Sequence, residues 1–183
     1  MINDELTATH PVRLAGVVDD SVVDGPGVRL ALFFQGCLPK YPGGGHCPGC
    51  HNEHTWAMDG GQVHTVGQLL ARAAANPLLD GLTLTGGDPM DQPEAARLLA
   101  MGAHAQGLTV WAYTGYTWEQ LRRDPVRAPA LNEVDVLVDG PFERDLRSLA
   151  LRFRGSTNQR VLDVRTSNDA GHPVWAASFL PGV

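Results

Sequence analysis

Continuous apolar runs of strand length recur along the chain and predict its buried strands. They cover residues 28–35, 81–85, 108–113 and 134–138, and a glycine or polar residue follows each one. A short run that is apolar on both faces is typical of a parallel strand buried within a sheet. A further run, residues 159–165, alternates enough to predict a strand late in the chain.

Helical patterns fall between these runs. The predicted helices are residues 65–75, 93–106 and 117–123, and a loop is predicted at 124–129. Thr65 is a suitable cap for the first helix, which must stop before Asn76 and Pro77. Pro93 opens the second helix and Gly107 ends it. Strands that alternate with helices indicate an α/β protein with a parallel sheet.

Residues suited to ligand binding follow the ends of the predicted strands. These clusters are the cysteines after the first strand, Gly86 to Asp88, Thr114 to Tyr116, and Asp139 with Gly140. The carboxyl ends of parallel strands meet at one edge of a sheet, which is where α/β proteins bind ligands. We therefore expect the four clusters to converge on one site.

Length and composition exclude several classes of protein. The chain has 183 residues, 43% of them hydrophobic, and a formal net charge of -6. This length suits one domain, residues 1–183, with a cysteine loop at 36–52 and a C-terminal strand and tail at 141–183. The acidic balance argues against nucleic-acid binding, and the hydrophobic content argues against disorder. Neither a signal peptide nor a membrane segment is predicted, so we expect a cytoplasmic protein.

The cysteines of the chain are Cys37, Cys47 and Cys50. An odd cluster of cysteines in a reducing compartment indicates a metal or redox site before it indicates disulfides. A four-iron cluster held by three thiolates leaves one iron open to a cofactor or substrate. A structural zinc site needs a fourth ligand. That ligand would be one of three histidines: His46, His51 or His54. Spacing alone leaves both sites open.

Six motifs follow one another along the chain: DGPG at 24–27, CPGCHN at 47–52, LTGGDP at 84–89, WAYTGY at 111–116, VLVDG at 136–140 and RGSTNQR at 154–160. Taken in this order, they resemble the radical S-adenosylmethionine (SAM) activating enzymes of anaerobic ribonucleotide reductase. Any one of them alone is a weak signal, because a glycine pair after a strand is usually a turn. Their common order is specific, and it covers most of the chain.

The cysteine spacing departs from this family, whose usual pattern is CxxxCxxC. Here nine residues separate Cys37 from Cys47, six more than in that pattern. Glycines accept positive φ at little cost, so Gly43 to Gly45 allow the extra segment to loop outward while the sulfurs converge. The insertion bears on the identity of the target more than on the presence of a cluster.

The resemblance implies a partial (β/α) barrel of the radical SAM type. It also implies one [4Fe-4S] cluster on Cys37, Cys47 and Cys50, with SAM bound at the open iron. The expected activity is reductive cleavage of SAM to a 5′-deoxyadenosyl radical, which takes hydrogen from a glycine of the reductase. The implied partners are the large subunit of that reductase and an electron donor such as flavodoxin or ferredoxin, with no nucleic acid and no membrane.

The same resemblance assigns SAM contacts to two segments. Backbone carbonyls at Gly86 and Gly87 can approach the SAM ammonium closely because neither residue has a side chain. Asp88 is a possible charge partner of that ammonium. Gly49, Cys50 and His51 lie where this family's backbone meets the adenine.

Other interpretations stay open. The target could be a different glycyl-radical enzyme, or the chain could resemble the 7-carboxy-7-deazaguanine synthases, which are small radical SAM enzymes. A non-enzymatic zinc module of the Cys3His type is the third alternative. Residues 24–27 would either shape the mouth that admits the partner's glycine or form a simple turn. Three arginines would contact an acidic partner, contact SAM or face solvent: Arg152, Arg154 and Arg160.

Overall fold

The apolar runs form the centre of a mixed sheet in the computed structural model, which describes residues 8–177. The strands are β1 (Pro11–Ser21), β2 (Arg29–Phe34), β3 (Gln62–Thr65), β4 (Gly81–Gly86), β5 (Thr109–Tyr113), β6 (Val136–Asp139) and β7 (Arg160–Asp163). The helices are α1 (Val66–Ala74), α2 (Pro93–Ala105), α3 (Trp118–Arg123), α4 (Ala128–Leu131) and α5 (Val164–Ala170). In this described part of the chain, no helix is long and apolar enough to cross a membrane.

The sheet has the order β3-β1-β2-β4-β5-β6-β7. Strands β2, β4, β5 and β6 are parallel neighbours, as the alternation of strands and helices predicted. Antiparallel strands flank them, with β1 and β3 on one side and β7 on the other. The result is an α/β fold of the partial-barrel type, in which the parallel strands end at a common edge.

Two buried clusters hold the sheet in place. The larger cluster joins α1 and α2 to the outer face of the parallel strands, with Leu32, Leu84 and Leu99 fully buried. On the opposite face Trp111 belongs to a smaller cluster, and its ring meets that of Phe153 edge-on at 5.3 Å. Both faces of the central strands are therefore covered, which explains why their sequences are continuously apolar.

The predicted helix starts at two threonines are confirmed. The Thr65 and Thr117 hydroxyls accept hydrogen bonds from the backbone N–H of Gln68 and Gln120, whose side chains bond back to the threonine N–H groups. These reciprocal bonds satisfy backbone donors that an uncapped helix leaves without partners. They fix where α1 and α3 begin.

Three parts of the sequence interpretation need correction. The strand predicted at 159–165 ends at Asp163, because the Asp163 carboxylate accepts from the Thr166 N–H and caps α5. The loop predicted at 124–129 already contains the start of α4, where Pro129 lies in the first turn. Strands β1 and β3 were not predicted, since much of β1 is half-exposed and polar. Of the predicted tail at 141–183, residues 178–183 lie outside the described part.

Candidate functional site

The four ligand-binding clusters predicted from the sequence line one cavity of about 220 Å³ at the carboxyl ends of the parallel strands. The cysteine loop forms one wall, and Gly86, Gly87 and Asp88 form the floor after β4. Thr114 and Gly115 follow β5, and Gly140 follows β6. Strands of one parallel sheet bring these loops together although they are far apart in the sequence.

All three cysteines line this cavity as half-buried free thiols. The loop that carries them is fixed at its start, where the Gly36 and Cys37 N–H groups donate to the Thr55 and Trp56 carbonyls at 2.7 and 3.2 Å. Burial raises the pKa of Cys37 to about 12 and also raises that of Cys47. Thiolates at these positions therefore need a strong positive partner, and a metal centre supplies one.

The extra segment of the cysteine loop extends outward, as its glycines predicted. Tyr41 closes a tight turn, accepting from the Gly44 N–H at 2.9 Å and donating to the Gly45 carbonyl at 3.1 Å. The three glycines have positive φ, and no other group lies within 4 Å of where their side chains would begin. The long spacing between Cys37 and Cys47 therefore adds an exposed turn and still leaves both cysteines in the cavity wall.

The histidines of the loop do not complete a zinc site in the described residues. The His46 Nε2 lies 2.7 Å from the Cys37 carbonyl oxygen, and the His46 ring stacks on Trp56 at 4.2 Å. His54 is exposed. A zinc ion holds ligands at about 2.0–2.3 Å. Within residues 8–177, the one group of three or more ligand atoms within 4.8 Å of one another joins Cys37 to two aspartates and includes no histidine.

The double glycine after β4 packs directly against the start of the cysteine loop. The Gly87 N–H donates to the Phe34 carbonyl and the Asp88 N–H donates to the Gly36 carbonyl, each at 2.8 Å. A Cβ on Gly87 would lie 2.2 Å from the Gly36 oxygen, so only glycine allows this approach. Asn52 reaches the same turn, since its amide donates to the Gly86 carbonyl at 3.4 Å.

The Asp88 side chain is buried beneath the turn and engaged by the chain itself. It accepts from the Met90 N–H at 3.0 Å, from the Gly115 N–H at 2.9 Å and from the Thr114 hydroxyl. The Lys40 ammonium lies 3.0 Å from its second oxygen. Burial raises the pKa of Asp88, and the charge of Lys40 opposes that shift.

Lys40 and Asp91 are the site residues that sequence reasoning missed. Their charged groups are 2.7 Å apart, and the Asp91 carboxylate is fully buried. Burial alone would raise the pKa of Asp91, but the charge and hydrogen bond of Lys40 hold it below its ordinary value. Burial would likewise lower the pKa of Lys40, and the two aspartates instead hold it above its ordinary value. The available signal was a lone lysine in the inserted segment.

The remaining predicted residues divide between the cavity and other parts of the fold. His51 lines the cavity with its ring 5.7 Å from that of Phe142, and Gly49 lies under the Arg144 side chain. Arg160 is an internal ion-pair residue, bonded to Asp139 and Glu119. Arg154 stacks on the Trp175 ring at 5.0 Å, and Arg152 is exposed.

The segment 24–27 lies before β2, at the opposite end of the strands from the cysteines. The Asp24 carbonyl accepts from the Thr83 hydroxyl at 2.8 Å, and Gly25 packs against Arg29 and Thr83. None of these four residues lines the cavity. Their placement favours the simple turn over the mouth of the site.

Comparison with known proteins gives two consistent results. The model of the 4Fe-4S single cluster domain family matches residues 23–162. The chain is 35% identical over 154 residues to the anaerobic ribonucleoside-triphosphate reductase-activating protein of Escherichia coli strain K12, covering 79% of this chain and 94% of the relative. It is 37% identical over 145 residues to the protein of the same name from Enterobacteria phage T4, covering 76% and 86%. The Salmonella typhi protein of that name is 35% identical over 152 residues, with 79% and 94% covered.

Proposed function

Because the chain belongs to the family of anaerobic ribonucleoside-triphosphate reductase-activating proteins, we propose that it cleaves SAM reductively and generates a glycyl radical in that reductase. The observation that carries this proposal is the position of the cysteines. All three line one cavity, opposite a double-glycine turn too tight to accept a side chain. The cavity thus combines thiol ligands with exposed backbone for a second small molecule.

The donor set fits a [4Fe-4S] cluster. Cys37, Cys47 and Cys50 would hold three of its irons and leave the fourth for the amino and carboxylate groups of SAM. When reduced, such a cluster supplies one-electron cleavage of SAM to methionine and a 5′-deoxyadenosyl radical. The chain would position both groups, since the cysteine loop and the loops after three further strands line the cavity.

The residues around the double glycine would bind the methionine part of SAM. Gly86 and Gly87 line the cavity without side chains, and their backbone oxygens would receive the ammonium group, with the Gly86 oxygen shared with the Asn52 amide. Asp88 lines the same cavity and is the proposed charge partner of that ammonium, with its buried carboxylate already paired with Lys40. Across the cavity, Gly49, Cys50 and His51 would meet the adenine, with the His51 ring tilted 42° to that of Phe142.

The large subunit of the anaerobic reductase is the proposed protein substrate, and its glycine would lose a hydrogen atom to the 5′-deoxyadenosyl radical. A planar radical at this position has no side chain to clash with its surroundings. An electron donor such as flavodoxin or ferredoxin would supply the reducing electron. We propose that these partners meet in the cytoplasm. The name of the relatives favours this target over a deazaguanine synthase reaction.

The test is an anaerobic incubation of the full chain with SAM, dithionite and the reductase, followed by electron paramagnetic resonance (EPR). We expect a glycine-centred doublet, and we expect none when the C-terminal glycine of the reductase is replaced by alanine. Formation of 5′-deoxyadenosine without the doublet would reject the proposed target while keeping SAM cleavage. Stoichiometric zinc with no visible absorption would reject the cluster itself and restore the zinc-module alternative.

A further inference from the structure

The inserted segment of the cysteine loop carries Lys40, the chain's one lysine, and the fold buries it. We propose that Lys40 is a positioning residue: it locks the cysteine loop onto the Gly86–Gly87–Asp88 turn and donates a hydrogen bond to the Cys37 sulfur. The locking of the loops is a property of the fold alone. The second part of the proposal, that Lys40 raises the reduction potential of the cluster, rests on the proposed function.

Lys40 uses its full hydrogen-bonding capacity within the site. Its ammonium nitrogen lies 2.7 Å from an Asp91 oxygen, 3.0 Å from an Asp88 oxygen and 3.5 Å from the Cys37 sulfur. An ammonium group has three donors, so each proton has one acceptor here. The side chain is 9% exposed and the two carboxylates are 1% and 0% exposed. Water therefore has little access to this charge cluster.

Asp91 extends the lock to the other loops of the cavity. Its carboxylate accepts from the Leu38 N–H at 2.8 Å and from the Tyr116 hydroxyl at 2.7 Å. Arg127, at the start of α4, adds an ion pair at 3.2 Å. The Tyr116 ring meets the Lys40 and Arg127 cations at 4.4 and 4.7 Å. One carboxylate thus joins the loops after β2, β4 and β5.

Two cations and three carboxylates are connected here, because Arg127 pairs with Asp124 at 2.6 Å as well as with Asp91. Removal of one member of a buried ion pair leaves an uncompensated charge, which costs more than the pair itself contributes. The shape of the site also favours lysine. A Cβ on Gly115 would lie 2.8 Å from the Lys40 Cδ, so the turn after β5 packs closely on the lysine stem. A planar guanidinium does not reproduce a compact charge with three acceptors.

The effect on the cluster follows from charge. Reduction adds one negative charge next to Cys37, and a cation that donates to the ligating sulfur stabilises the reduced form. Without Lys40, Asp88 would lose its cation and Asp91 would keep only Arg127, so the two carboxylates would oppose reduction more strongly. The lysine therefore makes the electron needed for SAM cleavage easier to deliver.

The first experiment tests the lock without a cluster. The full-length chain is treated with an amine-selective acetylating reagent, and acetylation of Lys40 is followed by mass spectrometry, with the N-terminal amine as the internal reactivity standard. We expect Lys40 to react at least tenfold more slowly in the folded protein than in urea. Equal rates in both states would overturn the lock, whether or not the protein binds iron.

The second experiment tests the effect on the cluster. Lys40→Met, Lys40→Arg and the exposed-charge control Arg123→Met are reconstituted, and each cluster is titrated by EPR against potential. At a fixed potential we expect Lys40→Met to lower the reduced-to-oxidised ratio about tenfold, equivalent to about 59 mV for one electron. Lys40→Arg should restore part of this loss and Arg123→Met should cause none.

Each result separates the two proposals. A Lys40→Met cluster with the wild-type potential overturns the electrostatic role of Lys40. If Lys40→Met folds but binds no iron, while the Arg123→Met control does bind iron, the result supports the positioning role, because the cysteine loop then needs Lys40 to hold the cluster. If Lys40→Met does not fold, the reduction potential of the Lys40→Arg cluster is the deciding measurement. A potential equal to that of the wild type would contradict the three-acceptor geometry. Absence of a cluster from the wild-type protein rejects the proposed function and leaves the acetylation result standing.

Discussion

Two buried cations lie at opposite ends of the same parallel strands, and their partners differ in kind. At the amino end, Arg29 is 1% exposed and donates only to neutral oxygens: the Thr83 and Thr109 hydroxyls and two backbone carbonyls. At the carboxyl end, Lys40 is paired with two carboxylates and a cysteine sulfur. The same sheet thus buries one positive charge in a neutral environment and another in an anionic one.

The Arg29 end is closed and its partners come from regular strands. Burial lowers the pKa of Arg29 to about 10, and the guanidinium has no ion pair among residues 8–177. Gly81 of β4 makes room for it, because a Cβ there would lie 2.4 Å from an Arg29 nitrogen. This end joins strands β2, β4 and β5, and neither Arg29 nor its partners Thr83 and Thr109 line the cysteine cavity.

The Lys40 end is built from loops, and these loops carry groups suited to binding a metal cluster and a small molecule. Thiols, a double glycine and buried carboxylates meet there around a cavity. The two ends therefore have different roles in this fold. Changes around Arg29 should lower stability without altering the cavity, whereas loss of a cysteine should remove the cluster from a protein that still folds.

The largest expected effect comes from Cys47→Ala. Iron and sulfide should fall from roughly four of each per chain to near zero, since two thiolates cannot hold the cluster. The free energy of unfolding of the cluster-free protein should change by less than about 1 kcal/mol, because the side chain is half-exposed. Metal analysis and thermal melting measure both quantities. Full iron loading in this variant would remove Cys47 from the ligand set.

Arg29→Met tests the opposite end. It leaves two hydroxyls and two carbonyls short of a buried donor, so the free energy of unfolding should fall by roughly 2 to 4 kcal/mol. The exposed control Arg123→Met should stay within about 0.5 kcal/mol of wild type in urea titrations. Iron content per folded molecule should not change. Lost iron with unchanged stability would contradict the division between the two ends.

Gly87→Ala tests the contact between the double-glycine turn and the cysteine loop. A Cβ would lie 2.2 Å from a backbone oxygen, so the backbone must shift, at a cost of about 1 to 3 kcal/mol. SAM affinity, measured by equilibrium dialysis on the loaded protein, should fall as well. Gly16→Ala is the matched control, since nothing lies within 4 Å of the added carbon. Equal affinities for both variants and wild type would argue against a SAM contact at the turn.

The smallest effect is expected from an ion pair outside the cavity. A hydrogen bond from Arg160 lowers the pKa of Glu119 from 4.5 to about 2. The stabilising contribution of Glu119 is therefore present above about pH 4.5 and is lost as the pH falls towards about 2. Glu119→Gln should cost less than about 1 kcal/mol at pH 7, because the carboxylate is 38% exposed.

Urea titrations between pH 7 and pH 3 check this sign. The stability difference between wild type and Glu119→Gln should shrink on acidification, whereas the exposed control Asp169→Asn should not show the same trend. A difference that grows towards low pH would mean that the Arg160 pair does not form in solution.

Sequence patterns predicted the parallel core because its strands are buried on both faces. Strands β2, β4, β5 and β6 are largely apolar runs, and the caps of α1 and α3 have a local chemical signature. Strand β1 escaped prediction because most of its residues are exposed or half-exposed, and its pairing with β2 and β3 defines it as a strand. Pairing of this kind is a tertiary property that local propensity does not report.

The cysteines and glycines of the candidate site were predictable from the sequence, but its buried ion pairs were not. Cysteines and paired glycines are unusual enough to mark a site wherever they occur, and the strand ends predicted that they would meet. Lys40 and Asp91 are ordinary charged residues, and such residues are usually solvated. Their role comes from burial between loops that are distant in sequence, as in the contact between Lys40 and Asp88. No pattern along the chain carries that information.

We propose that the carboxyl end of the sheet holds a four-iron cluster with an iron open to SAM. An EPR spectrum of anaerobically reconstituted, dithionite-reduced protein, recorded with and without SAM, tests this directly. We expect the signal of a reduced [4Fe-4S] cluster whose shape changes when SAM is added. A well-folded protein without a cluster signal, or with a signal that SAM leaves unchanged, would contradict it.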